Sequence, residues 1–317
     1  MQIKEFLINN NISYDENVSL SSKSWIKFGG IASLWISPKS VGELEEVCRY
    51  LYGNNIVYDL VGQTSNIFFH STYNPQVVVS TVKVNGYSIE GSTLICDCGC
   101  NVMKLAKEML AEGYAGFYGL VGLPGTVASA AVNNAGCFSC SISEMLISAE
   151  VLMPNGTIKK FDKDDFGYEK RSSKFKRGEV KGVVLSVKLK LQKAENIEEE
   201  YRKSEETKLY RKTNQEGPAK NLGSVFSKMS RRKNWKNLVA SILSIISRKA
   251  RILDGRVAEK KILLFLYHYD DLDKYISDKV LNTFVWRDMN AEEKFVRYKQ
   301  FMSEVYDNLT IEIEERI

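Results

Sequence analysis

The sequence has few histidines, only five prolines and no long apolar run, and these shortages remove whole classes of function. With His70 and His268 as its only histidines, the chain offers few imidazole ligands to a zinc centre. No window approaches the roughly 18 uncharged apolar residues that a membrane-spanning helix needs. The opening MQIKEFLINN lacks a basic stretch followed by an apolar one, so no secretory leader is expected and a cytoplasmic location is. One-sided charge is missing as well. The 44 Lys and Arg stand against 39 Asp and Glu, a net of +5, too even a balance to argue for nucleic acid and equally suited to an anionic small substrate. Six cysteines in 317 residues, with no leader, predict no disulfide framework.

What is present fits a soluble globular chain long enough for two or three compact units, with 44% hydrophobic and 26% charged residues. Trp25, Ile26 and Phe28 lead to a Gly29-Gly30 turn and a strand through Leu34, Trp35 and Ile36. Ser40 opens a helix, Glu43 completes a capping box, and Val41, Leu44, Val47, Cys48 and Leu51 form its apolar stripe. A strand over 56–61 runs into Gly62-Gln63-Thr64-Ser65-Asn66, and strands at 77–79 and 92–98 follow. Asn101 caps a helix with Val102, Leu105, Ala106, Met109 and Leu110 on one face. Pro154-Asn155-Gly156 marks a hairpin between strands at 146–153 and 157–161, and alternation over 183–191 predicts a half-buried strand. Residues 195–212 form a helix so densely charged that a solvated face and a domain boundary near 193–205 are expected.

Three stretches stand out chemically. Cys96, Cys98 and Cys100 would share one face of a strand, with Cys137 and Cys140 able to complete a metal or redox site, but small buried hydrophobes explain them as well and no metal is expected. In residues 231–251 every charged residue is basic, and Trp235, Leu238, Val239, Ile242, Leu243, Ile245 and Ile246 form a wide apolar face. That face is expected to dock on its own domain, with weak contact to an anionic membrane surface as the alternative. Residues 116–138, GFYGLVGLPGTVASAAVNNAGCF, carry five glycines and almost no charge. Such a backbone can approach a ligand closely and leave its N–H groups uncovered, as a phosphate-bearing cofactor requires; a tight crossover in an α/β core has the same composition.

Read as a pattern, residues 116–138 resemble the flavin loop G-x-P-G-T-x-G-G-A-x-x-x-N-A-G of the UDP-N-acetylenolpyruvoylglucosamine reductases, within the FAD-binding family that also holds vanillyl-alcohol oxidase. Gly122, Pro124, Gly125, Thr126, Ala130, Asn134, Ala135 and Gly136 keep the spacing, while Ala128 and Ser129 replace two glycines and would be strained if either needed positive φ. Gly62, Ser65 and Asn66 match the family's G-x-G-S-N, with Thr64 at its second glycine, and Lys27 matches a basic residue before Gly-Gly. The resemblance implies FAD held by Gly62, Gln63, Thr64, Ser65, Asn66, Gly122, Pro124, Gly125, Thr126, Ser129, Asn134 and Gly136.

Three further segments are similar to the family's catalytic ones. In YEKRSSKFK, Arg171, Ser173, Phe175 and Lys176 match Y-R-x-S-x-F-K, with Lys170 at the tyrosine position and Tyr168 two residues away. Ser224 falls at the serine of A-G-S-x-F, and Glu314 at the second glutamate of L-E-x-E. Alternation of Ile311 and Ile313 with Glu312 and Glu314 predicts one edge strand with both carboxylates on the same face. The implied roles are enolate stabilisation or protonation by Arg171 and Glu314, and proton donation by Ser224. The implied activity is that of an FAD oxidoreductase in peptidoglycan synthesis, a monomer that takes hydride from NADPH and reduces a UDP-sugar, UDP-N-acetylglucosamine enolpyruvate, to UDP-N-acetylmuramate.

Departures lie in the substrate half. Ser227 intervenes before Lys228, Ser277-Asp278-Lys279 lacks the histidine of a family S-E-K-H segment, and similarity is poor over 229–275. Two other readings therefore stay open: an FAD-dependent oxidoreductase of another nucleotide sugar, as in capsule synthesis, and a non-catalytic, membrane-associated flavin-binding protein. The implied fold class is α+β. A PCMH-type FAD-binding domain in two parts, 1–72 and 73–200, precedes a C-terminal α+β substrate domain over 201–317 whose distinctive sequence begins after Pro218.

Overall fold

The computed structural model describes residues 2–217 and 220–317; Pro218, the marker of the last unit, lies outside them. The chain is α+β and folds as two compact units. The first comprises Met1–Ser19, Ile31–Ser65 and Asn74–Lys208, and the second Leu20–Gly30, Asn66–Tyr73 and Leu209–Ile317.

In the first unit, a four-stranded sheet runs in the order Tyr14–Ser19, Ile31–Ile36, Val77–Ser80, Asp59–Val61. Its first pair is antiparallel and the others parallel. The Val41–Gly53 helix buries Leu44, Val47, Cys48 and Leu51 in one core with Leu34, Ile36, Val77 and Val79. Ser40 Oγ accepts the Glu43 N–H at 3.2 Å, while the Glu43 carboxylate reaches the Lys39 N–H at 2.9 Å, one residue earlier than the predicted box. The strand expected from 56 is confined to Asp59–Val61 because the Ile56 N–H is spent on Leu51 O, closing the helix.

A second, antiparallel sheet has the order Ile158–Asp162, Leu146–Leu152, Val183–Lys190, Thr93–Asp97, Tyr87–Glu90. Val183–Lys190 is its central strand, and the half-buried expectation is corrected: Val183 to Val187 are all buried. Its side chains enter two different cores, Val184 and Val187 one, Val183 and Leu185 the other. The same division separates the thiols. Cys96 and Cys100 join the first core and Cys98 joins the second beside Cys48, so the three do not share a face. The strand has ended at Asp97, and burial holds the Cys98 thiol above its ordinary pKa.

The second unit is centred on aromatic packing. Phe284 lies 4.8 Å from Trp286 and 5.1 Å from Phe295, and Phe68 lies 5.3 Å from Phe295. Around it stand the Gly255–Tyr267 and Ala291–Val305 helices and an antiparallel ladder of Phe226–Arg231 with Tyr306–Ile311. Glu314–Arg316 pairs in parallel with Ile67–Phe69. The single edge strand expected through 311–314 is therefore two strands. The chain changes partner between them, and Ile313 is buried whereas Ile311 is exposed.

The Trp235–Lys249 helix overturns a second expectation. Asn237, Ala240 and Ser244 face the interior, while Trp235, Leu238, Ile242 and Ile246 are exposed by 64%, 61%, 48% and 52%. The inner face is fixed by polar bonds: Asn237 Nδ2 donates to Arg232 O and Val305 O, both at 2.9 Å, and Tyr267 Oη donates to Asn237 Oδ1 at 3.1 Å. Small residues there leave no room for the apolar ones. No helix among the described residues is long and apolar enough to cross a membrane. Placing a large side chain on the inner face, as in Ala240→Leu, is expected to cost about 1–3 kcal/mol in urea unfolding. Ile242→Ser should change stability by less than about 0.5 kcal/mol, and the reverse ranking would contradict this orientation.

Candidate active site

In the first unit, the Asp59–Val61 strand delivers the chain to Gly62, where a Cβ would stand 2.7 Å from Thr126 Oγ1 and 3.0 Å from its Cγ2. Only glycine lets the two loops meet there. Gln63 Oε1 accepts the Gly125 N–H at 2.8 Å and ties the loops together. Thr64 sits at φ 56°, the left-handed region, at the position of the family's second glycine. A β-branched residue there stores roughly 1–2 kcal/mol of strain; its hydroxyl donates to Gln63 O at 2.7 Å. A Cβ on Gly125 would lie 3.7 Å from Ser65 Oγ, so that hydroxyl also borders the second loop.

Gly122 and Gly125, on either side of Pro124, both have positive φ. Thr126 then caps the Val127–Asn133 helix: Ser129 Oγ accepts the Thr126 N–H at 3.1 Å, and Thr126 Oγ1 accepts the Ser129 N–H. Ala128 and Ser129 lie inside this helix, so the two positions where the family has glycines need no left-handed backbone. Asn134 ends the helix at φ 46°, its Nδ2 donating to Glu169 O at 2.9 Å. Among the described residues, Asn133 Oδ1, Asn134 Oδ1 and Tyr168 Oη are buried without a hydrogen-bond partner. At Gly136 a Cβ would stand 2.4 Å from Cys140 O. Loops that exclude side chains, beside polar atoms left unpaired, fit a polar group that approaches the backbone closely.

Arg171, at φ 59°, stands in a turn closed by reciprocal backbone bonds between Glu169 and Ser172. Ser173 is fully buried, and its hydroxyl donates to Val132 O at 2.5 Å, anchoring that turn to the short helix. Lys170 is exposed, whereas Tyr168 packs on Phe166 at 5.2 Å and burial raises its hydroxyl pKa. The charged Ile197–Asn214 helix is not wholly a solvated face. Glu200 is buried and accepts the Gly116 N–H at 2.9 Å, a positioning contact that sequence reading missed. Its signal was the i, i+4, i+7 spacing of Glu200, Ser204 and Thr207, all three buried.

In the second unit, exposed Ser224 lies between Gly223, whose N–H donates to Asn221 Oδ1 at 3.0 Å, and buried Val225. Val225 N–H donates to Asn282 O at 2.9 Å and Val225 O accepts the Glu312 N–H at 2.8 Å, joining the serine segment to the terminal one. Asn66, which belongs to this unit, accepts the Glu314 N–H at 2.8 Å and donates its amide to Glu312 O at 3.2 Å. Half-buried Glu314 pairs with Arg316 at 2.9 Å. The His70 ring contacts Glu292 at 2.7 Å and Glu315 at 3.1 Å, and the His70 backbone N–H donates to Arg316 O, so the residue fastens the last strand. Among the described residues, no group of three His, Cys, Asp or Glu side chains is arranged to hold a metal ion.

A family model described as "FAD binding domain" matches residues 32–162. The UDP-N-acetylenolpyruvoylglucosamine reductase of Enterococcus faecalis is 29% identical over 219 residues, 69% of this chain and 72% of that protein. The enzyme of that name from Caldicellulosiruptor saccharolyticus is 29% identical over 58% of this chain and 59% of its own length. The crystal structure of UDP-N-acetylenolpyruvylglucosamine reductase from Thermus caldophilus superposes with a TM-score of 0.66 at 20% identity, covering 96% of this chain and 99% of that one, and shows a common fold. The chain is similar in sequence and fold to the UDP-N-acetylenolpyruvoylglucosamine reductases. It thus has an FAD-binding oxidoreductase fold of the PCMH type followed by a C-terminal α+β domain.

The glycine contact at Gly62 is directly testable. Gly62→Ala is expected to weaken FAD binding at least about tenfold, because a methyl group separates the loops at a cost near 1.4 kcal/mol or more. Gly53→Ala, with open space around its Cβ position, should leave the affinity unchanged in the same fluorescence titration.

Proposed function

We propose that this protein is an FAD-dependent reductase that uses NADPH to convert UDP-N-acetylglucosamine enolpyruvate into UDP-N-acetylmuramate, in the cytoplasm, for peptidoglycan synthesis. The observation that carries the reading is the close contact of Gly62 with Thr126, at the start of a helix whose other end holds the unpaired oxygens of Asn133 and Asn134. Gly62, Gln63, Thr64, Ser65, Asn66, Gly122, Pro124, Gly125, Thr126, Asn134 and Gly136 would hold the cofactor, with Ser129 acting through the cap it forms with Thr126. The chemistry that FAD brings is hydride carriage from NADPH to the β-carbon of the enolpyruvyl ether. Ser224, exposed between a left-handed glycine and a clamped valine, would hold the proton delivered from its Oγ to the α-carbon. Serine is a weak acid, so that step needs positive charge or amide donors to hold its alkoxide. Arg171 and Glu314 take the family role of stabilising or protonating the enol form.

One feature favours a second reading, in which another nucleotide sugar is the substrate. In the Ser277-Asp278-Lys279 segment, every side chain is engaged within the fold. Ser277 Oγ accepts the Lys279 N–H at 3.1 Å, Asp278 pairs with the buried Lys260, and Lys279 Nζ donates to Lys212 O at 2.7 Å. A segment committed in this way contributes differently to substrate recognition from an S-E-K-H segment.

The experiment is anaerobic: reduce the FAD-loaded protein with NADPH, then add UDP-N-acetylglucosamine enolpyruvate and follow flavin absorbance. Bleaching with rapid recovery is expected, and Ser224→Ala should bleach normally but recover about 10²-fold or more slowly. Recovery only with a different UDP-sugar would replace the substrate assignment, and failure to bind FAD would remove the whole reading.

A further inference from the structure

The Trp235–Lys249 helix presents its large apolar residues outward. At 100° per residue, Trp235, Leu238, Ile242 and Ile246 fall on the side opposite Asn237, Ala240 and Ser244, which face the interior. Ile245 and Leu243 widen the outer stripe and are also exposed. An unpartnered apolar surface of this breadth marks an interaction site.

Charge selects its occupant. Every charged residue from 231 to 251 is basic. Arg231 is drawn inward by Glu259, and Arg232 is paired with Asp307, but Arg248, Lys249 and Arg251 beyond the helix end are exposed. A second copy seated on this face by two-fold symmetry would bring two basic rims together, a repulsive arrangement. A surface that is apolar just below a layer of negative charge satisfies both halves of the pattern, and an indole at the helix start suits the boundary between them. The helix spans only about 22 Å, too short to cross a hydrocarbon core, so it would lie in the plane of the surface.

We propose that the Trp235–Lys249 helix docks this protein on an anionic lipid bilayer, with Trp235, Leu238, Ile242 and Ile246 entering the headgroup boundary and Lys249 and Arg251 contacting lipid phosphates. The interaction is peripheral, reversible and sensitive to salt. It does not depend on which substrate the flavin site takes.

The test uses the full chain with FAD, sedimented with vesicles of phosphatidylcholine alone or of equal parts phosphatidylcholine and phosphatidylglycerol. Binding to the anionic vesicles and not the neutral ones is expected, with loss as salt is raised and a blue shift of emission that Trp235→Phe removes. Ile242→Ser/Ile246→Ser should weaken binding at least about tenfold. Lys249→Gln/Arg251→Gln should weaken it by about fivefold per charge. All four sites are exposed, so melting temperatures should match the parent and a loss of binding cannot be ascribed to unfolding. Absence of binding to anionic vesicles at low salt, or equal binding by parent and both double variants, would overturn the proposal. Sedimentation equilibrium showing a dimer that Ile242→Ser/Ile246→Ser dissociates would also overturn it and reassign the face to self-association.

Discussion

Two backbone loops in the first unit meet at Gly62 and Thr126 so closely that no Cβ fits between them, and the surrounding elements serve that contact. One loop arrives from the Asp59–Val61 strand. The other is held from behind: Val102 N–H donates to Gly125 O, Val127 N–H to Cys100 O and Ala128 N–H to Cys98 O. The turn through Cys98 and Cys100 therefore acts through its carbonyls, while its sulfurs fill two separate cores. Gly99 obeys the same constraint, since a Cβ there would fall 1.8 Å from Thr81 O. Loop geometry at this contact is set by the sheet strands beneath it, which is how a short segment without regular structure keeps a fixed shape.

The second unit achieves positioning by changing strand partners. Tyr306–Ile311 completes a ladder with Phe226–Arg231, the Glu312 N–H closes on Val225, and Glu314–Arg316 then begins a separate pairing with Ile67–Phe69. That switch links the Asn66 side-chain amide, Glu312 and the Val225 carbonyl in one hydrogen-bonded series, with Ser224 next to Val225 and the Glu314 N–H on Asn66 O. The contacts of His70 with Glu292 and Glu315, and of Lys299 with Glu315, hold the last strand in register. A carboxylate on a terminal strand would otherwise be among the first groups to fray.

Local grammar in the sequence was readable where one short-range effect dominates. Ser40 and Asn101 cap their helices because a side-chain oxygen three residues upstream of an N–H has few competitors. Pro154-Asn155-Gly156 forces its hairpin, and the glycine spacing pointed to close backbone approach, which occurs at Gly62 and Gly136. Burial that depends on distant partners was not readable. Alternation over 183–191 looked one-sided, yet both faces of that strand are covered. Periodicity in residues 235–249 revealed an apolar face without revealing that Asn237, Ala240 and Ser244 on the other side would dock. Glu200 and His70 escaped notice because their partners lie 84 and 222 residues away.

Substitutions in the glycine loops divide by backbone geometry rather than by chemistry. Ala128 and Ser129 occupy helical positions, so losing glycine there costs nothing in φ and gains a helix cap through Ser129. Thr64 stands where φ is positive and bears the strain of a branched side chain, balanced by its burial and its bond to Gln63 O. Residue identity can thus drift away from a glycine pattern while the backbone path it served is retained. In the second unit, side chains rather than glycines make the ties: Asp278 pairs with Lys260, and Lys279 Nζ donates to Lys212 O. Identity of path around Gly62 and Thr126 therefore bears on the cofactor and not on the substrate.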